Sequence, residues 1–133
     1  MKIAFLSSIY PAHAEKIYRE NPSLKNKSSE EQMEFIRWHA LSSYVRWFEL
    51  LEQKGFATCA FNHNLPEVAL AWAKENKFEP KSSDIIQEIG FEKIKRFKPD
   101  VILFFGPLHY LKNNILGEFI CSFRKKPWLI VRY

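Results

Sequence analysis

An unbroken apolar run, Val-Ile-Leu-Phe-Phe at residues 101–105, constrains the fold of this chain more than any other feature. Pro99 precedes the run and Gly106 follows it, so the run has the length of a single strand between residues that interrupt regular structure. Strands that are apolar along their whole length are buried on both faces, and they occur in parallel sheets covered by helices. The run therefore predicts an α/β protein with a parallel sheet at its centre.

Strand and helix patterns alternate along the rest of the chain. Apolar segments at residues 3–6, 56–61 and 128–131 predict three more strands. Residues 7–29 are polar and predict a binding loop with one or two helical turns around residues 14–20, because connections longer than about 15 residues are uncommon in compact domains unless they are functional. The predicted helices cover residues 29–54, 66–76, 84–97 and 113–126.

The length of 133 residues predicts a single domain, residues 1–133, with one core. Right-handed crossovers between alternating strands and helices favour the sheet order 2-1-3-4 with helices on both faces, which is a Rossmann-like three-layer arrangement. Ligands of such sheets bind beyond the carboxyl ends of the strands, near the point where the strand order reverses. The predicted site loops are therefore residues 7–11, 62–64 and 106–110.

The sequence lacks the short motifs that hold cofactors. Residues 7–10, Ser-Ser-Ile-Tyr, stand where a dinucleotide-binding domain carries its glycines, and the chain contains only four glycines. A Walker loop, a nucleophile elbow and a cluster of metal ligands are also missing from the sequence. We therefore expect no cofactor and no metal ion in this domain.

The net charge of +5 arises from 20 basic and 15 acidic residues, so it is a surplus within a mixed surface. The densest basic runs, at residues 93–98 and 124–126, fall late in two predicted helices, where cations complement the helix macrodipole. We therefore expect no nucleic-acid partner, and weak peripheral contact with a membrane stays open.

The chain shows no signal for export. The apolar opening stops at Ser7, which is too early for a secretory signal, and no segment approaches the roughly 18 apolar residues of a membrane span. These observations predict a cytoplasmic protein. Cys59 and Cys121 have neither the number nor the spacing of a disulfide framework or a zinc site, and both are expected to be buried, reduced thiols.

The loops after the second and third predicted strands carry candidate site residues. His109 is the candidate catalytic residue, because an imidazole exchanges a proton with a hydroxyl group near neutral pH. Gly106 and Tyr110 lie in the same loop and are predicted to contact substrate. Asn62 and His63 can donate to and accept from hydroxyl groups. Ordinary turn chemistry at Asn62 and His63, and a helix-capping role for His109, remain open alternatives.

Further candidates follow the first strand. Ser7, Ser8 and Tyr10 offer hydroxyl groups where a ligand would lie. Arg37 falls inside the apolar stripe of the helix predicted at residues 29–54, so its guanidinium must leave the core. It either reaches an anionic or hydroxylated ligand in the crevice or extends past the sheet to solvent.

Four short segments carry a resemblance to a known family. They are Met-Lys-Ile-Ala-Phe-Leu-Ser-Ser-Ile-Tyr-Pro at 1–11, Glu-Glu-Gln at 30–32, Ala-Trp-Ala-Lys-Glu-Asn at 71–76 and Phe-Lys-Pro-Asp-Val-Ile at 97–102. In this order the segments resemble the amino-terminal domain of GT-B-fold glycosyltransferases, in particular the CgeB-like group of spore-protein glycosyltransferases. The resemblance extends over nearly the whole chain.

The resemblance implies half of a two-domain enzyme of the hexosyltransferase type, which moves a sugar from a nucleotide-sugar donor to a sugar or glycan acceptor. The amino-terminal domain of such an enzyme contacts mainly the acceptor and forms one wall of the interdomain cleft. The donor binds mainly to a carboxyl-terminal domain that this sequence does not contain, so the isolated domain is expected to be inactive. The alternative is a standalone Rossmann-like binding module without catalysis. In both cases the apolar last strand, residues 128–131, is expected to leave a sheet edge exposed.

Overall fold

Four parallel strands form the centre of the fold. The computed structural model describes residues 1–39, 44–105 and 113–132 of the chain. The strands follow the order β2-β1-β3-β4, and every neighbouring pair is parallel, which confirms the predicted α/β fold and strand order. The strands are β1 (Lys2–Ser7), β2 (Ala57–Asn62), β3 (Val101–Phe105) and β4 (Trp128–Arg132).

Residues 7–29, predicted as a loop with one or two helical turns around residues 14–20, contain a helix of 10 residues and a 3-10 helix, so the prediction that most of the segment is irregular was wrong. Pro11 occupies the first position of the first helix, where its missing N–H costs nothing. Ala14, Ile17 and Tyr18 are buried at spacings of three and four, which is a helical pattern that is hard to see among polar neighbours. The described helices are α1 (Pro11–Glu20), a 3-10 helix (Pro22–Asn26), α2 (Ser29–His39), α3 (Tyr44–Gln53), α4 (Pro66–Glu75), α5 (Ile85–Phe97) and α6 (Asn113–Cys121).

The helix predicted at residues 29–54 corresponds to α2 and α3, and residues 40–43 between them lie outside the described residues. A capping box opens α2. The Ser28 hydroxyl accepts a hydrogen bond from the Glu31 N–H at 3.2 Å, and Glu31 Oε2 accepts one from the Ser28 N–H at 3.0 Å. The Ser28 N–H and the Ser28 hydroxyl, which also donates to Glu31 Oε2 at 2.8 Å, lower the pKa of the Glu31 carboxyl.

Helix α6 ends earlier than the predicted position 126. The Ser122 hydroxyl donates to the Phe119 carbonyl at 2.6 Å. This side-chain bond competes with the backbone N–H groups that would continue the helix. Cys121, at this helix end, is exposed, so the prediction of a buried thiol was wrong for this residue. Cys59 in β2 is partly buried, and burial raises the pKa of its thiol.

Helices cover both faces of the sheet. Ala4 and Leu6 of β1 belong to an apolar cluster that includes side chains of α4, α5 and α6. Ile3 and Phe5 point to the opposite face, where Phe48 of α3 lies with its ring centroid 4.1 Å from that of Phe5. The alternation of side chains along β1 therefore divides the core into two layers, as the three-layer prediction requires.

A third apolar cluster lies beyond the carboxyl ends of β1 and β2. Ile9 follows β1 and Leu65 follows β2, and both pack with side chains of α1, the 3-10 helix and α2. Next to them, the Tyr18 hydroxyl donates to Gln32 Oε1 at 2.8 Å, and burial raises the pKa of this phenol. We call this group the end cluster; its buried members are Ile9, Ala14, Ile17, Tyr18, Leu24, Ile36, Leu65 and Val68.

Strand β4 forms an exposed edge of the described sheet, where it pairs with β3. Its apolar side chains from Trp128 to Val131 are 40% to 79% exposed. The predicted exposed edge is therefore confirmed.

Candidate functional site

Ser7 and Asn62 meet at the carboxyl ends of the two neighbouring strands β1 and β2. The two residues are paired in the parallel register. The Ser7 hydroxyl donates to Asn62 Oδ1 at 2.5 Å, and both residues are only 7% exposed. The His63 N–H donates to the Ser7 carbonyl at 3.1 Å. The structure therefore brings these predicted site residues together, and it uses the Ser7 hydroxyl to join the strand ends.

Asn64 ties the two loops together beyond the strands. Its Oδ1 accepts from the Ile9 N–H at 3.1 Å, and its Nδ2 donates to the Ile9 carbonyl at 2.5 Å. The side-chain amide thus makes both hydrogen bonds, one as acceptor and one as donor, that a backbone peptide group of a neighbouring strand would make. Sequence reasoning placed Asn64 in a predicted site loop but assigned roles only to Asn62 and His63, although an asparagine in a turn that precedes a helix is a common source of such bonds.

Ser8 and Tyr10 flank the residue that Asn64 holds. Ser8 is partly exposed and Tyr10 is 83% exposed. Tyr10 precedes Pro11 and has the extended backbone that a following proline favours, with φ −59° and ψ 125°. Its carbonyl accepts from the N–H groups of His13 and Ala14, so its backbone is fixed while its ring faces solvent.

His63 is partly buried beside this junction. Burial lowers the pKa of its imidazole, and a hydrogen bond with the Ser7 backbone and the charge of Asp84 act in the opposite direction. Asp84 itself caps α5, since its Oδ1 accepts from the Gln87 N–H at 3.4 Å. The lowered pKa favours the neutral imidazole at neutral pH, in which one ring nitrogen is a donor and the other an acceptor.

Arg37 makes its described charge contacts with α2 and α3. Its Nη1 lies 3.8 Å from a Glu34 oxygen and 3.7 Å from a Glu52 oxygen, and its guanidinium lies 5.1 Å from the centre of the Phe48 ring. The residue of α2 that reaches the strand ends is Met33, whose sulfur lies 4.0 Å from Asn62 Nδ2. A role of Arg37 in ligand binding stays a prediction.

The third predicted loop begins where β3 ends at Phe105. Strand β3 lies beside β1, with Leu6 paired to Phe104, so the strand order reverses between these two strands. The predicted residues Gly106, His109 and Tyr110 lie outside the described residues.

A groove of about 540 Å³ lies between α1 and α4, next to the two joined loops. Pro11 and Asn64 contribute to its lining from the loops themselves. We call this cavity the α1–α4 groove. Sequence reasoning missed it because it assigned most of residues 7–29 to a loop and predicted no complete helix there.

Charged side chains of both signs line the α1–α4 groove. They are the carboxylates of Glu15 and Glu67 and the cations of Arg19 and Lys25, so the formal charges cancel. Lys25 Nζ lies 3.3 Å from Glu67 Oε1 and 5.6 Å from the centre of the Tyr18 ring. The groove therefore offers hydrogen-bond donors and acceptors without a net charge.

Among residues 1–39, 44–105 and 113–132 no group of three or more histidine, cysteine, aspartate or glutamate side chains is placed to hold a metal ion. No helix in this part of the chain has both the length and the apolar character that crossing a bilayer requires. Comparisons of the chain with protein-family models, with curated proteins and with solved structures found no match.

Proposed function

We propose that this domain is the acceptor-binding half of a cytoplasmic, two-domain glycosyltransferase, and that the α1–α4 groove holds part of a neutral sugar acceptor. The fold supports this proposal because GT-B enzymes, which the sequence resembles, use Rossmann-like domains. The groove supports it by its place at the carboxyl edge of the sheet, where α/β proteins bind their ligands.

The charge balance of the groove is the observation that carries the proposal. Sugar hydroxyls both donate and accept hydrogen bonds, and the groove presents two carboxylates as acceptors and two cations as donors. An anionic ligand would favour a surplus of cations, and a hydrophobic ligand would favour an apolar lining. The groove volume of about 540 Å³ lies within the range of about 300–1,000 Å³ that is typical of small-molecule sites.

The N-terminus of α1 has few free backbone N–H groups for the phosphates of a nucleotide-sugar donor, which supports binding of that donor elsewhere. Nucleotide phosphates bind at helix N-termini whose backbone N–H groups are free. Pro11 has no N–H, and the N–H groups of His13 and Ala14 donate to Tyr10. Within the first four residues of α1, Ala12 alone keeps an N–H with no described backbone acceptor. A nucleotide-sugar donor is therefore expected to bind mainly to a second domain.

The proposal is tested by titrating the isotope-labelled 133-residue chain with neutral mono- and disaccharides of glucose, galactose and N-acetylglucosamine, followed by NMR. We expect at least one sugar to shift the amide signals of residues 11–25 and 64–67, with a dissociation constant on the order of millimolar. Arg19→Met keeps the apolar stem and removes the donor, and it should weaken binding about tenfold, as loss of a charge-assisted hydrogen bond does.

The matched control uses the same helix. Lys16 and Glu20 form an exposed ion pair at 3.9 Å and do not line the groove, so Lys16→Met should leave sugar binding unchanged. Equal weakening by Lys16→Met and Arg19→Met, or the absence of shifts with every sugar, would count against the groove as an acceptor site. Tight binding of UDP-glucose to this chain alone would contradict the division between acceptor and donor domains.

A further inference from the structure

A second cavity lies at the opposite edge of the sheet from the α1–α4 groove. It is a cleft of about 920 Å³ where α5 and α6 end and where β3 and β4 begin. Two basic groups line it. Lys95 and Lys98 come from the end of α5, and Arg124, Lys125 and Lys126 come from the connection between α6 and β4. We call this cavity the basic cleft.

Only one carboxylate among the lining residues opposes these cations. Asp100 Oδ1 lies 3.7 Å from Lys125 Nζ, and Asp100 Oδ2 accepts a hydrogen bond from the Lys2 N–H at 2.8 Å. Among the described residues, the other four cations of the cleft have no carboxylate within ion-pair distance. The formal charge of the lining side chains is therefore five positive minus one negative, or +4.

Helix ends do not account for this surplus. Each helix C-terminus carries roughly half a negative charge, so the ends of α5 and α6 together offset about one cation. About three positive charges remain at the cleft. The sequence-based expectation that the basic runs only complement helix dipoles is therefore insufficient here.

The cleft also presents an aromatic surface. Trp128 is 79% exposed at its edge, whereas Phe123 and Pro99 are buried in its lining. A positively charged groove with an exposed aromatic ring is the arrangement that binds single-stranded nucleic acid, since cations follow the phosphates and bases stack on the ring. A concave cleft fits a flexible strand better than it fits the flat surface of a bilayer.

We propose that the basic cleft binds single-stranded nucleic acid, with phosphates at Lys95, Lys98, Arg124 and Lys126 and a base stacked on Trp128. Binding of this type is insensitive to base sequence, because every base has a face that stacks. It is sensitive to salt, because each phosphate contact releases counterions, with a slope of about −0.7 per contact for single strands. Four such contacts predict a slope near −3 in a plot of log K against log salt concentration.

The test is fluorescence anisotropy of labelled (dT)12 and of a mixed-sequence 12-mer RNA with the 133-residue chain, at salt concentrations from 50 to 200 mM. We expect similar binding of both strands and the predicted salt slope. The double variant Arg124→Gln/Lys126→Gln should weaken binding at least tenfold. Trp128→Ala should weaken it at least fivefold, and since this side chain is exposed, the variant should fold normally.

A charge-matched control separates a site from general attraction. Lys16→Gln/Lys54→Gln removes two exposed cations outside the cleft and should change affinity less than twofold. Equal weakening by both double variants would overturn the proposal. It would also be overturned if vesicles of phosphatidylcholine and phosphatidylglycerol shifted the tryptophan emission of the parent protein but not of Trp128→Ala, and the oligonucleotides shifted neither, since the cleft would then serve a membrane surface.

Discussion

Gln87 offers a prediction with an unusual sign, because replacing this buried residue should stabilise the protein. Gln87 is 5% exposed, and neither its Nε2 nor its Oε1 has a hydrogen-bond partner in the described part of the chain. A buried polar group without a partner costs about 1–3 kcal/mol. Methionine has similar length and helix propensity and no strong polar atom, so Gln87→Met should raise the free energy of unfolding by about 2 kcal/mol.

Gln32 provides the matched control for the same substitution. It is fully buried, and both ends of its amide are bonded: Oε1 accepts from the Tyr18 hydroxyl at 2.8 Å, and Nε2 donates to the Lys27 carbonyl at 2.9 Å. Gln32→Met removes both bonds and leaves a phenol and a carbonyl without these partners. We expect it to lower the free energy of unfolding by about 3 kcal/mol.

Urea unfolding followed by circular dichroism measures both changes. The m-value should not change, because neither variant alters the surface that unfolding exposes. In thermal unfolding, 1 kcal/mol corresponds to roughly 4 °C for a domain of this size, so the two variants should differ in Tm by about 20 °C. If Gln87→Met is less stable than the parent protein, the amide has a partner such as a buried water molecule, and the reasoning is refuted.

Three further predictions concern local packing and titration. Gly90→Ala should lower the free energy of unfolding by about 2 kcal/mol, since a Cβ there would lie 2.1 Å from a buried phenylalanine ring of β2. Gly117→Ala should raise it by about 0.8 kcal/mol, since a Cβ there would have no atom within 4 Å and alanine favours a helix over glycine. Urea unfolding of the two variants should therefore show changes of opposite sign. Ellman's reagent should modify the exposed Cys121 quickly and Cys59 only in denaturant, and Cys121→Ser should remove the fast phase. Burial lowers the pKa of His63 in the folded protein, so just below pH 6.5 the unfolded chain binds more protons than the folded one. The free energy of unfolding should therefore fall as the pH falls below 6.5, and His63→Gln should make this pH dependence weaker.

The sheet could be predicted from the sequence because its signals are local. The apolar run at residues 101–105 is long enough to identify a buried strand, and the order of strands follows from the handedness of the crossovers. Only one or two turns of helix α1 were predicted, because its buried residues, such as Ile17 and Tyr18, face the end cluster. That cluster is assembled from four separate segments. The buried side of α1 can therefore be recognised only when the positions of the other segments in the fold are known.

The candidate site shows a similar limit. Strand ends indicated that Ser7 and Asn62 would lie at the ligand-binding edge, and the structure places them side by side. Their hydrogen bond depends on the register of β1 against β2, which the sequence does not reveal. The role of Asn64 was missed for the same reason, since its partner Ile9 lies on another loop. Residues that hold a site together are therefore harder to find than the loops in which they lie.

The two cavities divide the charge of the molecule in a way that makes their proposed functions separable. The side chains of the α1–α4 groove sum to zero, whereas those of the basic cleft sum to +4, close to the net charge of +5 of the whole chain. A neutral sugar and a polyanion would therefore bind at opposite edges of the sheet without competing. Arg19→Met should weaken sugar binding and spare the oligonucleotide, and Arg124→Gln/Lys126→Gln should do the reverse. If either variant weakened both ligands, the two cavities would be coupled, and a single extended site would have to replace the two proposed here.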